Sequence, residues 1–302
     1  MTPFVPFTLS RFIAFPRRLL LACASVLALL SYPSHASDTV PVAASFSILG
    51  DIVRVVGGTR VSVSTLVGRD ADAHIFEPRP ADAKTLLGSK LWVRNGLGFE
   101  PWADKLAQSA GYRGETVVAS QGIHAIPSDP HAWQNPNNVV LYVRNIANGL
   151  GKVDAAGAST YQANAEAYVK ELQALDVWAK EQIATVPAPK RRVITSHDAF
   201  AYFAAQYGVQ FLAPQGQNTD TEPSAKQVAK LIAQIKREKI RAVFVENMGN
   251  PKLIDQLSRD AGATVGSSLY ADALSAAEKP GATYLQMIRH NVTQLVAGMR
   301  LN

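Results

Sequence analysis

The sequence has almost no cysteine. Cys23 is the only one among 302 residues, and it lies inside the apolar run Leu19–Leu30 near the N-terminus. Beyond that run the chain can form no disulfide and offers no thiolate to a metal ion. A chain of this length without cross-links has to be stabilised by its hydrophobic core, and it is long enough for one large or two medium domains.

Long hydrophobic runs are also scarce. The run Leu19–Leu30 follows a basic segment and precedes the small residues Ser34 and Ala36. It is shorter than the roughly 20 residues of a membrane-spanning helix. The order of basic, apolar and small residues therefore predicts a cleaved signal peptide over residues 1–36 and a periplasmic mature protein. A lipid anchor at Cys23 is disfavoured because the apolar run continues well past it.

The chain has no large excess of either charge. It contains 30 basic and 24 acidic residues, a net charge of +6, and removal of residues 1–36 would lower this to +3 because only arginines leave. A positive net charge this small does not indicate a nucleic-acid partner. The sequence also lacks the H-E-x-x-H motif of metalloproteases, the G-x-S-x-G motif of serine hydrolases and a glycine-rich phosphate loop.

What the sequence does contain is a repeated alternation of strand-like and helix-like segments. Residues 37–154 alternate in this way, residues 155–184 carry apolar side chains at helical spacing without proline, and the alternation then restarts. Repeated β-α-β units predict parallel sheets flanked by helices. We therefore predict an α/β protein with two β/α lobes, 37–154 and 187–302, joined by one long rigid helix within 155–186. A ligand would bind in the cleft between the lobes.

Three histidines and an aspartate occupy positions where such a cleft needs ligands. His74, His131 and His197 lie in turn-rich segments; His74 and His197 follow the ends of predicted strands, and Asp272 comes just after the last one. Each residue alone has an ordinary structural explanation as a capping or hydrogen-bonding group. Together, three neutral imidazoles and one carboxylate form a ligand set suited to a divalent transition metal.

The order of these four residues along the chain also carries information. Two precede the predicted long helix and two follow it, so a bound metal would tie the lobes together. Asp272 falls in a loop before the final helix, and we expect it to be the ligand that moves most on metal release. The remaining histidines of the mature chain are interpreted as a solvated loop residue, His124, and a surface or half-buried helix residue, His290.

Five segments around these residues carry a resemblance to a known family. They are "HIFEPRPADAKTL", "NGLGFEPW", "DPHAWQNP", "TSHDAFAYFAAQYG" and "SLYADALS". Over essentially the whole mature length, the chain resembles the periplasmic solute-binding proteins of ABC-type zinc and manganese importers, of the ZnuA/TroA type. The resemblance implies two lobes on a rigid backbone helix and a receptor that delivers metal to a membrane permease. We expect a monomer, which a periplasmic metallochaperone could load.

Three departures from the family pattern bear on the site. Asn135 stands where many relatives have aspartate, so a carboxylate supporting His131 is expected to be missing. The long His- and acid-rich loop of many zinc receptors is absent between the first two candidate ligands. Manganese receptors of the family usually have glutamate at the third ligand position, where this chain has His197. The set therefore favours Zn²⁺, with Mn²⁺ as the alternative, because manganese prefers more oxygen and a higher coordination number.

Two other classes of function stay open. An exported zinc hydrolase would need an open metal position and a general base. Glu77, three residues after His74, is the candidate base, although a Glu-Pro pair at a helix start is more simply a cap. A surface adhesin would need an adhesive surface, which nothing in the sequence indicates. We expect a binding protein and not an enzyme.

Overall fold

The computed structural model describes residues 1–4, 39–249 and 251–302. Most of the expected signal peptide, including Cys23 and the cleavage site, lies outside the described residues. Thr39–Asn302 forms one compact unit, which contains every element named below. Within the described part of the chain, no helix combines the length and the apolar character needed to cross a bilayer.

The first half of this unit is built on a four-stranded parallel sheet in the order β2-β1-β3-β4. Its strands are β1 Val40–Phe46, β2 Val61–Val67, β3 Leu91–Arg94 and β4 Glu115–Val118. The interleaved helices are α1 Ser47–Gly57, α2 Pro80–Leu87 and α3 Ala103–Ala110. β1 is almost continuously buried as a central strand, whereas β2 alternates between partly buried and exposed side chains as an edge strand does.

Two helices follow the first sheet, α4 Pro136–Val153 and α5 Ala158–Ala184. The predicted long helix is α5, although it begins at Ala158 because a short 3₁₀ turn covers Ala155–Gly157. Helix α4 is not among the elements predicted from the sequence. The signals for it are nevertheless present, because Asn135 caps the helix by accepting from the N–H of Asn137 and proline occupies the first helical position.

The second half of the unit repeats the parallel arrangement in the order β6-β5-β7-β8. Its strands are β5 Arg192–Ile194, β6 Gln210–Leu212, β7 Ala242–Val243 and β8 Thr264–Val265. The helices are α6 Ala201–Tyr207, α7 Ala225–Glu238, α8 Pro251–Ala261 and α9 Tyr284–Met299. The prediction of two parallel β/α lobes joined by a long helix is confirmed, whereas the residue boundaries proposed for the lobes stay a prediction.

The second sheet is shared between two hydrophobic cores. The main core runs from the first sheet through α4, α5 and α9 and includes Val193 of β5. Its neighbour Ile194 points to the other face and belongs to a small second core under α7 and α8. The small core consists of Ile194, Leu231, Ile235, Ile240, Val243, Ile254 and Leu257. One face of this sheet therefore packs against the main core, and the other packs against α7 and α8, which form an outer layer around the small core.

Candidate metal centre

The four candidate ligands lie beyond the carboxyl ends of the two sheets. In the first sheet His74 follows β2 and His131 follows β4; in the second His197 follows β5 and Asp272 follows β8. Side chains at the carboxyl edges of parallel strands face the crevice where open α/β sheets bind ligands. Because both sheets present this edge to the same place, residues that are far apart in sequence meet there.

The distances show that the four side chains converge on one point. One ligand atom from each lies within 4.8 Å of all the others, and all four residues are buried. The Nε2 atoms of His74 and His131 are 3.2 Å apart. The carboxylate of Asp272 lies 3.1 Å from Nε2 of His197 and 3.3 Å from Nε2 of His74, with 3.6 Å to Nε2 of His131.

This geometry fits a metal ion better than it fits a hydrogen-bonded cluster. Among the described residues, His197 Nε2 and both carboxylate oxygens of Asp272 have no hydrogen-bond partner, although all are buried. Buried polar atoms without partners are costly unless something else compensates them. Bonds of about 2.0–2.1 Å to a tetrahedral zinc ion would place the donor atoms about 3.3 Å apart. Four of the six donor pairs, at 3.1–3.6 Å, are close to that spacing, and the other two lie within 4.8 Å.

A carboxylate supports His131, contrary to the expectation from Asn135. Asp129 Oδ1 lies 2.7 Å from Nδ1 of His131 and also accepts from its backbone N–H at 2.9 Å. The expectation was wrong because the support comes from two residues before the histidine rather than from after it. Asn135 instead caps α4. An Nδ1–H donated to Asp129 leaves Nε2 with its lone pair directed at the candidate site.

The carboxylate of Glu246 supports the ring of His197 in the way that Asp129 supports His131. Glu246 follows β7, is 1% exposed, and binds Nδ1 of His197 as well as the backbone N–H groups of Ser196 and His197. Burial alone would lower the pKa of His197, but the carboxylates of Glu246 and Asp272 outweigh it and raise the pKa well above its usual value. Burial would raise the pKa of Asp272, yet His197 and His131 lower it well below its usual value. A metal ion that binds His197 therefore has to compete with a proton for the ring.

Asp272 is held by residues of the first half of the unit. The carbonyl of the preceding residue, Ala271, accepts from Nε1 of Trp133 at 2.9 Å and from Nε2 of Gln134 at 2.8 Å. On the other side, the N–H of Leu274 donates to Ser47 Oγ at 2.9 Å. The carboxylate therefore lies in a segment pinned on both sides by buried contacts.

The motif "NGLGFEPW" builds the wall behind His74. Glu100 accepts from the N–H groups of Asn95 and Gly96 at 2.6 and 3.1 Å and so closes the turn. The ring of Phe99 then packs edge-on against His74, with 4.8 Å between ring centroids. Trp102 Nε1 donates to the carbonyl of Ala73 at 2.9 Å. The motif positions the first candidate ligand without contributing a ligand atom of its own.

The other singled-out residues lie elsewhere. His124 is exposed, and His290 is half-buried on α9, where its Nε2 lies 2.8 Å from the carbonyl of Ser268. Glu77 is exposed, and the start of α2 is capped by Asp82, which accepts from the N–H of Arg79 at 2.7 Å. The interpretation of His290 as half-buried is confirmed, whereas the cap assigned to Glu77 was wrong.

Sequence reasoning missed Asp129 and Glu246. A signal existed for Asp129, because the pattern Asp-x-His occurs at both Asp72–His74 and Asp129–His131. For Glu246 the chain offers only a carboxylate near the end of a segment predicted to be a strand, Arg241–Asn247. Its distance of 49 residues from His197 gives no local pattern to read.

We predict that Glu246→Gln lowers zinc affinity by roughly 10- to 100-fold, the usual cost of losing an outer carboxylate behind a metal-binding histidine. Glutamine keeps an acceptor for the two backbone N–H groups but removes the charge that holds the His197 ring. Glu238→Gln is the matched control, since Glu238 pairs with Arg192 and Arg237 at the other end of the lobe. Competition titration against a zinc chelator measures both variants, and equal affinities would contradict the assigned role.

Comparison with known proteins agrees with this geometry. The profile of the family described as "ZnuA: Zinc-uptake complex component A periplasmic" matches residues 42–298. The chain belongs to this family. Members of the ZnuA family are substrate-binding transport proteins and not enzymes, which places this ZnuA-family protein among the substrate-binding proteins of metal ABC transporters.

The relatives of this ZnuA-family protein are named for different metals. It is 33% identical over 288 residues to the "Manganese-binding lipoprotein MntA" of Halalkalibacterium halodurans, covering 91% of this chain and 96% of that one. The "Iron-binding protein YfeA" of Yersinia pestis is 32% identical, with 88% of each chain covered. The periplasmic zinc-binding protein TroA of Treponema pallidum matches in structure with a TM-score of 0.82, 25% identity and coverage of 86% and 99%. Family membership alone therefore leaves the metal open.

Proposed function

We propose that this ZnuA-family protein is an extracytoplasmic receptor that binds Zn²⁺ through His74, His131, His197 and Asp272 and delivers it to the membrane permease of an ABC importer. The observation that carries the proposal is the convergence of three imidazole nitrogens and one carboxylate in a buried site, where His197 Nε2 and both oxygens of Asp272 have no hydrogen-bond partner among the described residues. Zn²⁺ is the substrate of this protein, and no step of chemistry is performed on it.

The donor set supports zinc as the cargo. Zinc accepts imidazole nitrogen and monodentate carboxylate in tetrahedral sites, and the donor spacing suits that geometry. One observation favours manganese as a second candidate: both oxygens of Asp272 face the histidines, so a bidentate carboxylate could raise the coordination number. Affinity in solution favours zinc over manganese at nearly any such site, so the ratio of the two affinities is the informative quantity.

The surroundings support a receptor rather than a hydrolase. A catalytic zinc site keeps one position open for water beside a general base. Here the four candidate ligands are buried, and the two additional carboxylates, Asp129 and Glu246, are both bound to ligand histidines. Because each is bound to a histidine, neither carboxylate is free to act as the general base. Capture outside the cytoplasm and release to a permease follow the role of the family.

We predict that His197→Glu lowers the ratio of zinc to manganese affinity by about tenfold or more. The change replaces an imidazole by an oxygen donor with a second negative charge, which manganese prefers. In this variant two carboxylates, Glu246 and the introduced side chain, would face each other, so a double variant that also carries Glu246→Gln relieves the repulsion. Paired Zn²⁺ and Mn²⁺ titrations measure the ratio. If it falls in neither the single nor the double variant, His197 is not what selects the metal.

A further inference from the structure

The pattern Asp-x-His is used in two ways in this protein. Asp72 and Asp129 each accept from the backbone N–H of the histidine two residues later, at 2.8 and 2.9 Å. Asp129 also binds the ring of its histidine, and its second oxygen has no partner among the described residues. Asp72 does something different with its second oxygen: Oδ2 accepts from the hydroxyl of Thr219 at 2.6 Å. Asp72 therefore holds His74 with one oxygen and Thr219 with the other.

Thr219 belongs to the segment Pro214–Pro223, which connects β6 to α7 in the second half of the unit. The base of this segment is attached to the strand end that carries His197: the N–H of Gln215 donates to the carbonyl of Ser196, and the N–H of Asp198 donates to the carbonyl of Gly216. Its contact with Asp72 joins residues 147 positions apart and links the two halves of the unit. The segment thus bridges from the His197 side to the His74 side.

Beside this segment lies a partly open cavity of about 570 Å³. Residues of the segment form one wall, and Leu97, Gly98 and Ser128 contribute to the other. Leu97 and Ser128 adopt left-handed φ values of 55° and 63°, a strained conformation for residues other than glycine that persists only where the surroundings impose it. Of the four candidate ligands, His74 is the one that lines the cavity. An ion in the cavity would therefore meet His74 first.

His74 also has the weakest support of the four. The rings of His131 and His197 are each held at Nδ1 by a buried carboxylate, and the segment of Asp272 is pinned on both sides. Apart from its contacts with the other candidate ligands, His74 is held by the packing against Phe99 and by the backbone bond to Asp72. From these contacts we expect His74, and not Asp272, to be the ligand that moves most on metal release.

We propose that the Thr219–Asp72 hydrogen bond is a latch on the metal centre, with Asp72 as the positioning residue. When the bond is made, Pro214–Pro223 is held as one wall of the cavity and Asp72 is fixed against the backbone of His74. When it opens, this wall and the support of His74 are lost together, and the metal leaves past His74 into the cavity. This inference rests on the proposed function, because it concerns the release of the bound metal.

The test compares zinc dissociation from Thr219→Val with that from Thr221→Val. Valine has the shape of threonine without the hydroxyl, and Thr221 is the control because its hydroxyl binds the exposed Asp220 in the same segment. After rapid mixing with an excess of a fluorescent zinc chelator, Thr219→Val should release zinc roughly tenfold faster, the size expected for one lost hydrogen bond to a charged group. Thr221→Val should release it at the wild-type rate, and Thr219→Ser, which keeps the hydroxyl, should do so as well.

Coupling through Asp72 is tested by a double-mutant cycle. Asp72→Ala should accelerate release at least as much as Thr219→Val, and the double variant should release zinc no faster than Asp72→Ala alone. Additive effects would overturn the latch, as would a wild-type rate in Thr219→Val. If the wild-type protein binds no zinc, the proposed function fails and the latch fails with it. If it binds zinc but the variants do not differ, the latch alone fails.

Discussion

Replacing His131 by alanine is expected to lower zinc affinity at least about a hundredfold. Loss of an outer carboxylate alone typically costs 10- to 100-fold, and this change removes a ligand outright. It also leaves the carboxylate of Asp129 buried without the imidazole it binds, which destabilises the folded form of the site. The same replacement at His74 or His197 should lower affinity by at least roughly tenfold, with a smaller disturbance at His74 because no carboxylate contacts its ring in the described structure except that of Asp272.

Competition calorimetry against a chelator of known affinity measures these losses. His124→Ala is the matched control, because it removes an exposed histidine from a loop outside the site. Circular dichroism of each metal-free variant separates loss of affinity from loss of fold. Unchanged affinity in any of the three variants would remove that histidine from the ligand set, whereas a large loss in the control would indicate a second zinc site.

Zinc is expected to raise the melting temperature of the protein by roughly 10 °C when its free concentration is about a thousand times the dissociation constant. A ligand that binds only the folded state stabilises it by about 4 kcal/mol under those conditions. For a domain of this size each kcal/mol corresponds to roughly 2–4 °C. Thermal scans with and without zinc measure the rise, and at the same zinc concentration His131→Ala should show about a third of it or less.

Lowering the pH should reduce the rise in melting temperature that zinc produces. In the metal-free protein the raised pKa of His197 adds stability that is fully present below the ordinary histidine pKa of about 6.5 and is lost as the pH climbs through the raised value. Zinc has to displace that proton. Lowering the pH therefore stabilises the metal-free form and weakens zinc binding, so the rise should be smaller at about pH 5.5 than at about pH 7.5. An equal rise at both pH values would contradict proton competition.

The fold was predictable where local patterns are strong. The strands of the first sheet and the buried stripe of α5, with Tyr161, Ala165, Tyr168, Leu172 and Leu175, follow directly from apolar periodicity. α4 was missed although Val139, Tyr142, Val143, Ile146 and Leu150 have the same helical spacing and are buried. The strands of the second sheet are short: β5 ends at Ile194 and β7 at Val243, and beyond them only the isolated bridges His197–Gln215 and Glu246–Leu269 continue the pairing.

The four candidate ligands could be chosen from the sequence, and the structure brings them together, but their supporting contacts could not be predicted. Histidines in loops after strands stand out because imidazole is rare and chemically distinctive there. The partners of those histidines do not stand out, since Asp129 and Glu246 look like ordinary loop carboxylates until the fold brings Glu246 to His197. The contact between Asp72 and Thr219 is of the same kind: neither residue is unusual in sequence, and only the tertiary structure pairs them.

The small second core beneath α7 and α8 divides the protein into two cooperative regions of unequal size. Few buried apolar side chains hold these helices onto β5 and β7, so opening of this outer layer requires much less free energy than global unfolding. His197 and Glu246 follow these same two strands. An ion bound to His197 as well as to ligands of the main body would make opening of the outer layer conditional on its departure. Opening of the weaker region and binding of the cargo are then thermodynamically coupled, so a change in either equilibrium changes the other.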